Sequence, residues 1–124
     1  MNDRDTILVV DDDPGILEGL KRLLWLEGYE PILFSSADAF KGHTDFEKVV
    51  CVILDINLGD GSGIELGLHL QAAGISAPVI YITGNQDPAV RAAALNSGCI
   101  AFLTKPFPTE ELIEPLKKAA LGRS

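Results

Sequence analysis

The chain has 124 residues and a formal net charge of −8 at pH 7. This is the length of one ordinary domain, which can bury a core without disulfides or metal ions. The negative charge argues against a nucleic-acid-binding surface, because such surfaces concentrate Lys and Arg. The longest apolar run, VVCVIL at 49–54, is too short to span a bilayer, and the first residues lack a signal-peptide pattern. We therefore predict one cytoplasmic domain over residues 1–124, structured at about 5–121, that contacts no membrane and binds no nucleic acid directly.

Apolar runs of strand length alternate with helical patterns along the whole chain. Five runs predict strands, at 6–10 (TILVV), 30–34 (EPILF), 49–54 (VVCVIL), 77–82 (APVIYI) and 100–103 (IAFL). A helical pattern follows each run, which predicts helices at about 14–27, 36–41, 63–73, 88–97 and 109–121. Strict alternation of strands and helices predicts a parallel sheet with helices on both faces.

The apolar and proline patterns also predict where the strands lie in the sheet. VVCVIL is apolar on both faces, as in a central strand covered by helices on both sides. Pro31 lacks a backbone N–H, which places the second strand at a sheet edge. Pro115 lies inside the last helical pattern, where it removes a hydrogen bond and is expected to kink the helix or displace its start.

Short polar residues at the expected helix starts have the spacing of N-caps. Asp13 precedes Pro14, so it is predicted to cap a helix whose first residue is proline, and the DP pair at 87–88 predicts the same arrangement. SGIE at 62–65 predicts a capping box, in which Ser62 caps the helix and Glu65 reaches back. Three of the helices are predicted to end at glycines, namely Gly28, Gly74 and Gly98.

Residues capable of chemistry follow four of the five predicted strands. In a doubly wound sheet the functional crevice lies at the carboxyl ends of the strands. These ends carry Asp11, Asp12, Asp55, Thr83 and Lys105. Three carboxylates on strands about 4.8 Å apart are tolerable when a cation joins them, and hard oxygen ligands suit Mg²⁺. A divalent ion and a lysine can neutralise an incoming phosphoryl group, which a carboxylate can accept as an aspartyl phosphate.

Four motifs in this order, VVDDD, LDIN, TG and TKPF, resemble the receiver domain of two-component response regulators, in the CheY-like superfamily. The resemblance covers essentially the whole chain. It implies an α/β fold of flavodoxin type, with a doubly wound, five-stranded parallel sheet of order 2-1-3-4-5 and five helices. It also implies a phosphorylation-activated signalling switch, which is not a turnover enzyme. The phosphoryl group would come from a sensor histidine kinase or a phosphotransfer protein in a reaction dependent on Mg²⁺ or Mn²⁺.

The resemblance implies a role for each matching residue. Asp55 would be the phosphoryl acceptor. The metal would be held by three carboxylates and one backbone carbonyl, those of Asp11, Asp12, Asp55 and Asn57. Phosphoryl binding and switching would fall to Thr83, Lys105 and Phe102, and the Lys105–Pro106 peptide is expected to be cis. The output would be a rearranged face on the fourth helix, fifth strand and fifth helix, through which the domain could form a homodimer or regulate a partner or an output domain.

The sequence departs from the family pattern in the loop after Asn57. Gly59 stands where the family commonly has proline, which predicts a more flexible loop. Asp60 is expected to add a negative charge near the site. The glycines of GDGSG (59–63) could suggest a phosphate loop, but the Gly-Lys-Ser/Thr ending is missing, so a structural loop is the better interpretation.

Two other functions are compatible with parts of this pattern. A small phosphohydrolase would also use an aspartyl phosphate, but such enzymes usually carry a second aspartate at the position that Asn57 occupies. A degenerate receiver used only for docking would not need the intact set of strand-end residues. The cognate kinase, the output and the oligomeric state have no signature within the sequence.

Overall fold

The structure, a computed structural model, describes residues 4–122, so residues 1–3 and 123–124 of the predicted domain lie outside the described residues. Five helices are described: α1 (Pro14–Leu26), α2 (Ala37–Lys41), α3 (Gly63–Ala72), α4 (Pro88–Asn96) and α5 (Thr109–Gly122). The strands are β1 (Thr6–Val10), β2 (Glu30–Phe34), β3 (Val49–Asp55), β4 (Asn57–Leu58), β5 (Gly61–Ser62), β6 (Val79–Thr83) and β7 (Ala101–Thr104). None of these helices combines the length and the apolar character that crossing a bilayer requires.

Five of the strands form one parallel sheet of order β2-β1-β3-β6-β7. This is the predicted order, since β6 and β7 are the fourth and fifth strands of the main sheet. The edge position predicted from Pro31 is confirmed, because β2 pairs only with β1 in this sheet. The central position of β3 is confirmed as well, and the burial of residues 50–55 matches an apolar strand covered on both faces.

The sheet separates two apolar cores, and alternate residues of each strand face opposite sides. On β1, Ile7 and Val9 belong to one core, and Leu8 and Val10 belong to the other. The first core is closed by residues of α1 and α5, and the second by residues of α2, α3 and α4. The helices therefore cover both faces of the sheet, as strict alternation predicted.

Most of the predicted helix ends are confirmed. The carboxylate of Asp13 accepts hydrogen bonds from the amides of Gly15 and Ile16, and Asp87 caps α4 in the same way through Ala89. Ser62 caps α3, but its hydroxyl accepts from the amide of Ile64, one residue earlier than a capping box requires. Positive φ angles are found at the three predicted helix-ending glycines, Gly28, Gly74 and Gly98.

A small antiparallel hairpin, formed by β4 and β5, was not predicted from the sequence. Each strand has only two residues, which is too short for an alternating pattern to be recognised. The hairpin leads directly into α3, and a Cβ atom at Gly63 would overlap the backbone carbonyl of Asp55. The absence of a side chain at Gly63 therefore lets α3 begin directly against the end of β3, as expected of a structural loop.

Pro115 is accommodated inside α5, which begins at Thr109 as predicted and continues to Gly122. The start of the helix is therefore not displaced. In a regular helix the carbonyl of Glu111 would accept from the amide of residue 115, and proline has no N–H to donate. The helix is held instead by the burial of three apolar residues against the sheet, Leu112, Ile113 and Leu116.

We expect Pro115→Ala to stabilise the fold by about 1–3 kcal/mol, because alanine restores the missing donor and has a much higher helix propensity. Urea denaturation of the purified protein measures this change. The exposed Lys117→Ala on the same helix is the control and should alter the free energy of unfolding by less than about 0.5 kcal/mol. A loss of stability in Pro115→Ala would show that packing of the proline ring outweighs the missing hydrogen bond.

Candidate functional site

Three carboxylates converge at the carboxyl ends of the neighbouring strands β1 and β3. One carboxylate oxygen from each of Asp11, Asp12 and Asp55 lies within 4.8 Å of the others. Asp11 is fully buried and Asp55 is 3% exposed, whereas Asp12 is open to solvent. The structure thus brings together the three acidic residues that the sequence predicted.

Lys105 reaches this cluster from the loop after β7. Its Nζ atom lies 2.8 Å from Oδ2 of Asp11 and 3.3 Å from Oδ2 of Asp55. Burial favours the uncharged form of the lysine, but the hydrogen bonds and charges of Asp11 and Asp55 together outweigh burial and raise the pKa of Lys105. The lysine therefore stays protonated and partly neutralises the two buried carboxylates.

The ionised form of Asp55 is disfavoured at this position, although Lys105 lies next to it. Its burial, together with the neighbouring charge of Asp11, raises the pKa of Asp55 to about 6 despite the opposing effect of Lys105. A cation would relieve this repulsion. Carboxylate oxygens at this spacing, one of them exposed to solvent, suit Mg²⁺, which prefers oxygen ligands and retains several waters.

The backbone fixes both buried carboxylates in similar local turns. Oδ1 of Asp11 accepts from the amide of Asp13 at 2.9 Å, and Oδ1 of Asp55 accepts from the amide of Asn57 at 3.2 Å. Each bond joins an aspartate to the residue two positions later, which is the pattern of an Asx-turn. Each aspartate therefore keeps Oδ2 directed to Lys105 while Oδ1 is bound to the backbone.

Thr83 is fully buried at the end of β6, next to the carboxylate cluster. Its Oγ1 accepts hydrogen bonds from Nδ2 of Asn57 at 3.1 Å and from the amide of Asn85 at 3.0 Å. The sequence predicted only a backbone role for Asn57, so the contribution of its side chain was missed. Because Oγ1 accepts from both neighbours, the hydroxyl proton of Thr83 remains able to donate to another group.

Phe102 lies half-buried on β7, two residues before the last residue of that strand, Thr104. The guanidinium carbon of Arg91, on α4, is 5.2 Å from the centroid of the phenyl ring, within the range of a cation–π interaction. No pattern in the sequence predicts this contact, which joins α4 to β7. The peptide bond between Lys105 and Pro106 is cis.

Two acidic residues near the cluster in sequence serve helix ends in the structure. Asp13 caps α1, as predicted. The carboxylate of Asp60 accepts from the amides of Ala37 and Asp38, both at 2.9 Å, and these backbone bonds lower the pKa of Asp60. Asp60 therefore stays ionised near the site, but its carboxylate is bound to the start of α2, a contact that the sequence did not predict.

Comparisons with known proteins agree with this geometry. Residues 7–117 match the sequence family of the response regulator receiver domain. The chain is 35% identical over 120 residues to the response regulator protein TmoT of Ectopseudomonas mendocina, covering 96% of this chain and 54% of TmoT. It thus spans about half the length of this curated relative.

Solved structures share the fold over nearly the whole chain. A receiver domain protein (CheY-like) from Methanospirillum hungatei superposes with a TM-score of 0.85 at 30% identity, covering 93% of this chain and 92% of that one. The beryllofluoride-activated NtrC4 receiver domain, solved as a dimer, gives a TM-score of 0.87 at 28% identity, covering 97% and 99% of the two chains. The flavodoxin-type fold predicted from the sequence is confirmed.

We expect Asp55→Asn to stabilise the metal-free protein at pH 8 by about 1–3 kcal/mol. The pKa of Asp55 is raised from 3.8 to about 6, so the folded state binds this proton more tightly than the unfolded state. The ionised carboxylate therefore destabilises the fold increasingly as pH rises from about 4 to 6, and the full effect persists above that window. Asparagine removes the charge, and its advantage should disappear near pH 4.

Urea denaturation at both pH values measures this difference. The exposed Glu18→Gln, on α1, is the control and should show no comparable dependence on pH. Equal stability of Asp55→Asn and the wild-type protein at pH 8 would contradict the destabilising charge.

Proposed function

We propose that this chain, which belongs to the family of response regulator receiver domains, is a single receiver domain that accepts a phosphoryl group on Asp55. The donor is the phosphohistidine of a sensor histidine kinase or a phosphotransfer protein. The observation that carries this proposal is the position of Asp55, which contacts Lys105 and lies among carboxylates that suit a divalent cation. The domain acts as a switch, so it performs no turnover of an external substrate.

In the transfer step, a carboxylate oxygen of Asp55 attacks phosphorus, a P–O bond forms and the P–N bond to histidine breaks. The electron pair of that bond returns to the ring nitrogen, and because the other ring nitrogen of the phosphohistidine carries a proton, the imidazole leaves as the neutral ring. Lys105 stabilises the negative charge on the phosphoryl oxygens from its position 3.3 Å from Asp55. Mg²⁺ or Mn²⁺, held by Asp11, Asp12, Asp55 and the backbone carbonyl of Asn57, would supply further charge neutralisation.

The switch uses hydrogen bonds that Asp55 lacks before it is modified. The hydroxyl of Thr83 keeps its proton available, and we propose that it donates to a phosphoryl oxygen. Reversing a two-state population from 1:99 to 99:1 requires about 5.5 kcal/mol. Bonds to charged groups contribute about 1.5–3 kcal/mol each, so Thr83, Lys105 and backbone donors together approach this amount.

The output surface is the face formed by α4, β7 and α5. Thr83 lies at the end of β6, and β6 pairs with β7, which carries Phe102. Phe102 in turn contacts Arg91 on α4, so a movement at Thr83 can be transmitted to this face through residues that are in contact. A homodimer through this face, or regulation of an output domain, would use that change. The two free cysteines fit the reducing cytoplasm, where we place the protein.

The two alternative functions are less consistent with the structure. A phosphohydrolase would need an acid two residues after Asp55, but Asn57 occupies this position and its side-chain amide donates to Thr83. A degenerate docking receiver would not be expected to keep Lys105 in contact with two buried carboxylates. The intact arrangement favours phosphorylation.

We expect incubation with a small acyl phosphate and Mg²⁺ to add one phosphate to the protein, and we expect Asp55→Asn to remain unlabelled. Intact-mass spectrometry measures both results, and the urea experiment described above verifies that the variant is folded. Equal labelling of Asp55→Asn would show that another residue accepts the phosphoryl group. Continuous release of phosphate from an unrelated ester would instead support the phosphohydrolase.

The two neighbouring aspartates Asp12 and Asp13 should behave differently when each is replaced. Asp12→Ala is expected to abolish Mg²⁺-dependent phosphorylation and leave the fold intact, because Asp12 is an exposed member of the carboxylate cluster. Asp13→Ala is expected to destabilise the fold by about 1 kcal/mol through loss of the helix cap, with phosphorylation retained. Labelling and urea denaturation of both variants test this contrast, and matching results for the two would contradict it.

A further inference from the structure

We propose that Asp60 is a positioning residue, which holds the β4–β5 hairpin in the place where its first residue, Asn57, can serve the metal site. This inference rests on the proposed function, because it concerns the binding of Mg²⁺ next to Asp55. In the family, a proline commonly stands at position 59 and restricts this loop. Here we assign the same restriction to a long-range contact of Asp60.

The contact itself is a two-point bond between the hairpin and a distant helix. Oδ1 of Asp60 accepts from the amide of Ala37, and Oδ2 accepts from the amide of Asp38, both at 2.9 Å. These are the first two amides of α2, which have no acceptor within the helix. Both oxygens of one carboxylate are therefore engaged, and the side chain is fixed in direction as well as in position.

The hairpin also packs closely against its neighbours on two sides. A Cβ atom at Gly61 would lie 3.2 Å from the Cβ of Ala37, so the hairpin lies directly against the start of α2. On its other side, a Cβ atom at Gly59 would lie 3.6 Å from Oδ2 of Asp12. The tip of the hairpin is thus held between α2 and the exposed carboxylate of the cluster.

The hairpin is also continuous with the phosphoryl acceptor. Asn57 begins β4, its amide donates to Oδ1 of Asp55, and its side chain donates to Thr83. Asn57 pairs with Ser62 across the hairpin, and Asp60 lies in the two-residue turn between the strands. A displacement of the turn therefore reaches the carbonyl of Asn57 through a rigid unit of only six residues.

Gly59 explains why an anchor is needed at this point. Glycine loses more backbone freedom on ordering than any other residue, so this turn is disordered more readily than one that contains proline. Three features are compatible with proline at this position: Gly59 lacks a positive φ, it is the first central residue of its turn, and Leu58 before it is extended. Proline at 59 should therefore replace the constraint that Asp60 supplies.

Four variants of the whole chain test this role: Asp60→Ala, Ser36→Ala, Gly59→Pro and the double variant that combines Gly59→Pro with Asp60→Ala. Ser36 is the matched control, because its hydroxyl caps the same helix through the amide of Ala39 and makes that bond without involving the hairpin. Calorimetric titration with Mg²⁺ alone, without a phosphodonor, measures metal affinity. Hydrogen exchange of the Ala37 and Asp38 amides, followed by NMR, measures the contact itself.

We expect Asp60→Ala to weaken Mg²⁺ binding about tenfold, the factor that corresponds to the net loss of about one hydrogen bond. Exchange of the Ala37 and Asp38 amides should become faster in the same variant. Ser36→Ala should bind Mg²⁺ within about twofold of the wild-type protein. The double variant should recover most of the lost affinity although its two α2 amides still exchange quickly.

Wild-type affinity in Asp60→Ala would overturn the inference, and so would an equal loss in Ser36→Ala, which would show that helix capping alone is responsible. A double variant no better than Asp60→Ala, with Gly59→Pro alone binding normally, would also overturn it. Failure of the wild-type protein to bind Mg²⁺ is a different result, since that outcome contradicts the proposed function itself.

Discussion

The site depends on the repulsion between two buried carboxylates at the ends of adjacent strands. Asp11 and Asp55 both direct an oxygen to the same lysine nitrogen. Lys105 follows β7, which is separated from β3 by β6, so one side chain joins the ends of three strands. Burial and the charge of Asp11 raise the pKa of Asp55 in spite of the opposing effect of this lysine. The fold thus holds a carboxylate in a state that a cation or a covalent modification can relieve.

Asp55 connects two groups of hydrogen-bonded side chains, which are also joined through the backbone because the amide of Lys105 donates to the carbonyl of Thr83. Through Oδ2 it contacts Lys105, and through Oδ1 it accepts from Asn57, whose side chain reaches Thr83. A change in the charge or size of Asp55 therefore alters contacts on two sides of this residue. On one side it alters an ion pair that ties the strand ends together, and on the other it alters the hydroxyl next to β7. This arrangement suits a switch, because one chemical event acts on two elements.

The sequence was sufficient wherever a local rule determines the structure. Strand and helix periodicity, N-caps and helix-ending glycines follow from neighbouring residues, and the convergence of Asp11, Asp55 and Thr83 follows from the geometry of parallel strands. It was insufficient for contacts between residues far apart in the chain. Asp60 bonds to amides 22 and 23 residues away, and Arg91 meets Phe102 through side-chain packing. No periodic pattern records such contacts, because they depend on how finished elements pack.

The acidic residues of this region show why total charge is a poor guide to the field at the site. Asp13 follows Asp12 directly and Asp60 follows Asp55 by five residues, yet each has its carboxylate bound to backbone amides at the start of a helix. The positive end of a helix stabilises a carboxylate there, so these two charges have partners of their own. Asp12 remains exposed beside two buried acids that share one lysine. The attraction for a cation is therefore concentrated at Asp11, Asp12 and Asp55. Asp13 and Asp60 compete less for the cation, because the starts of α1 and α2 already bind their carboxylates.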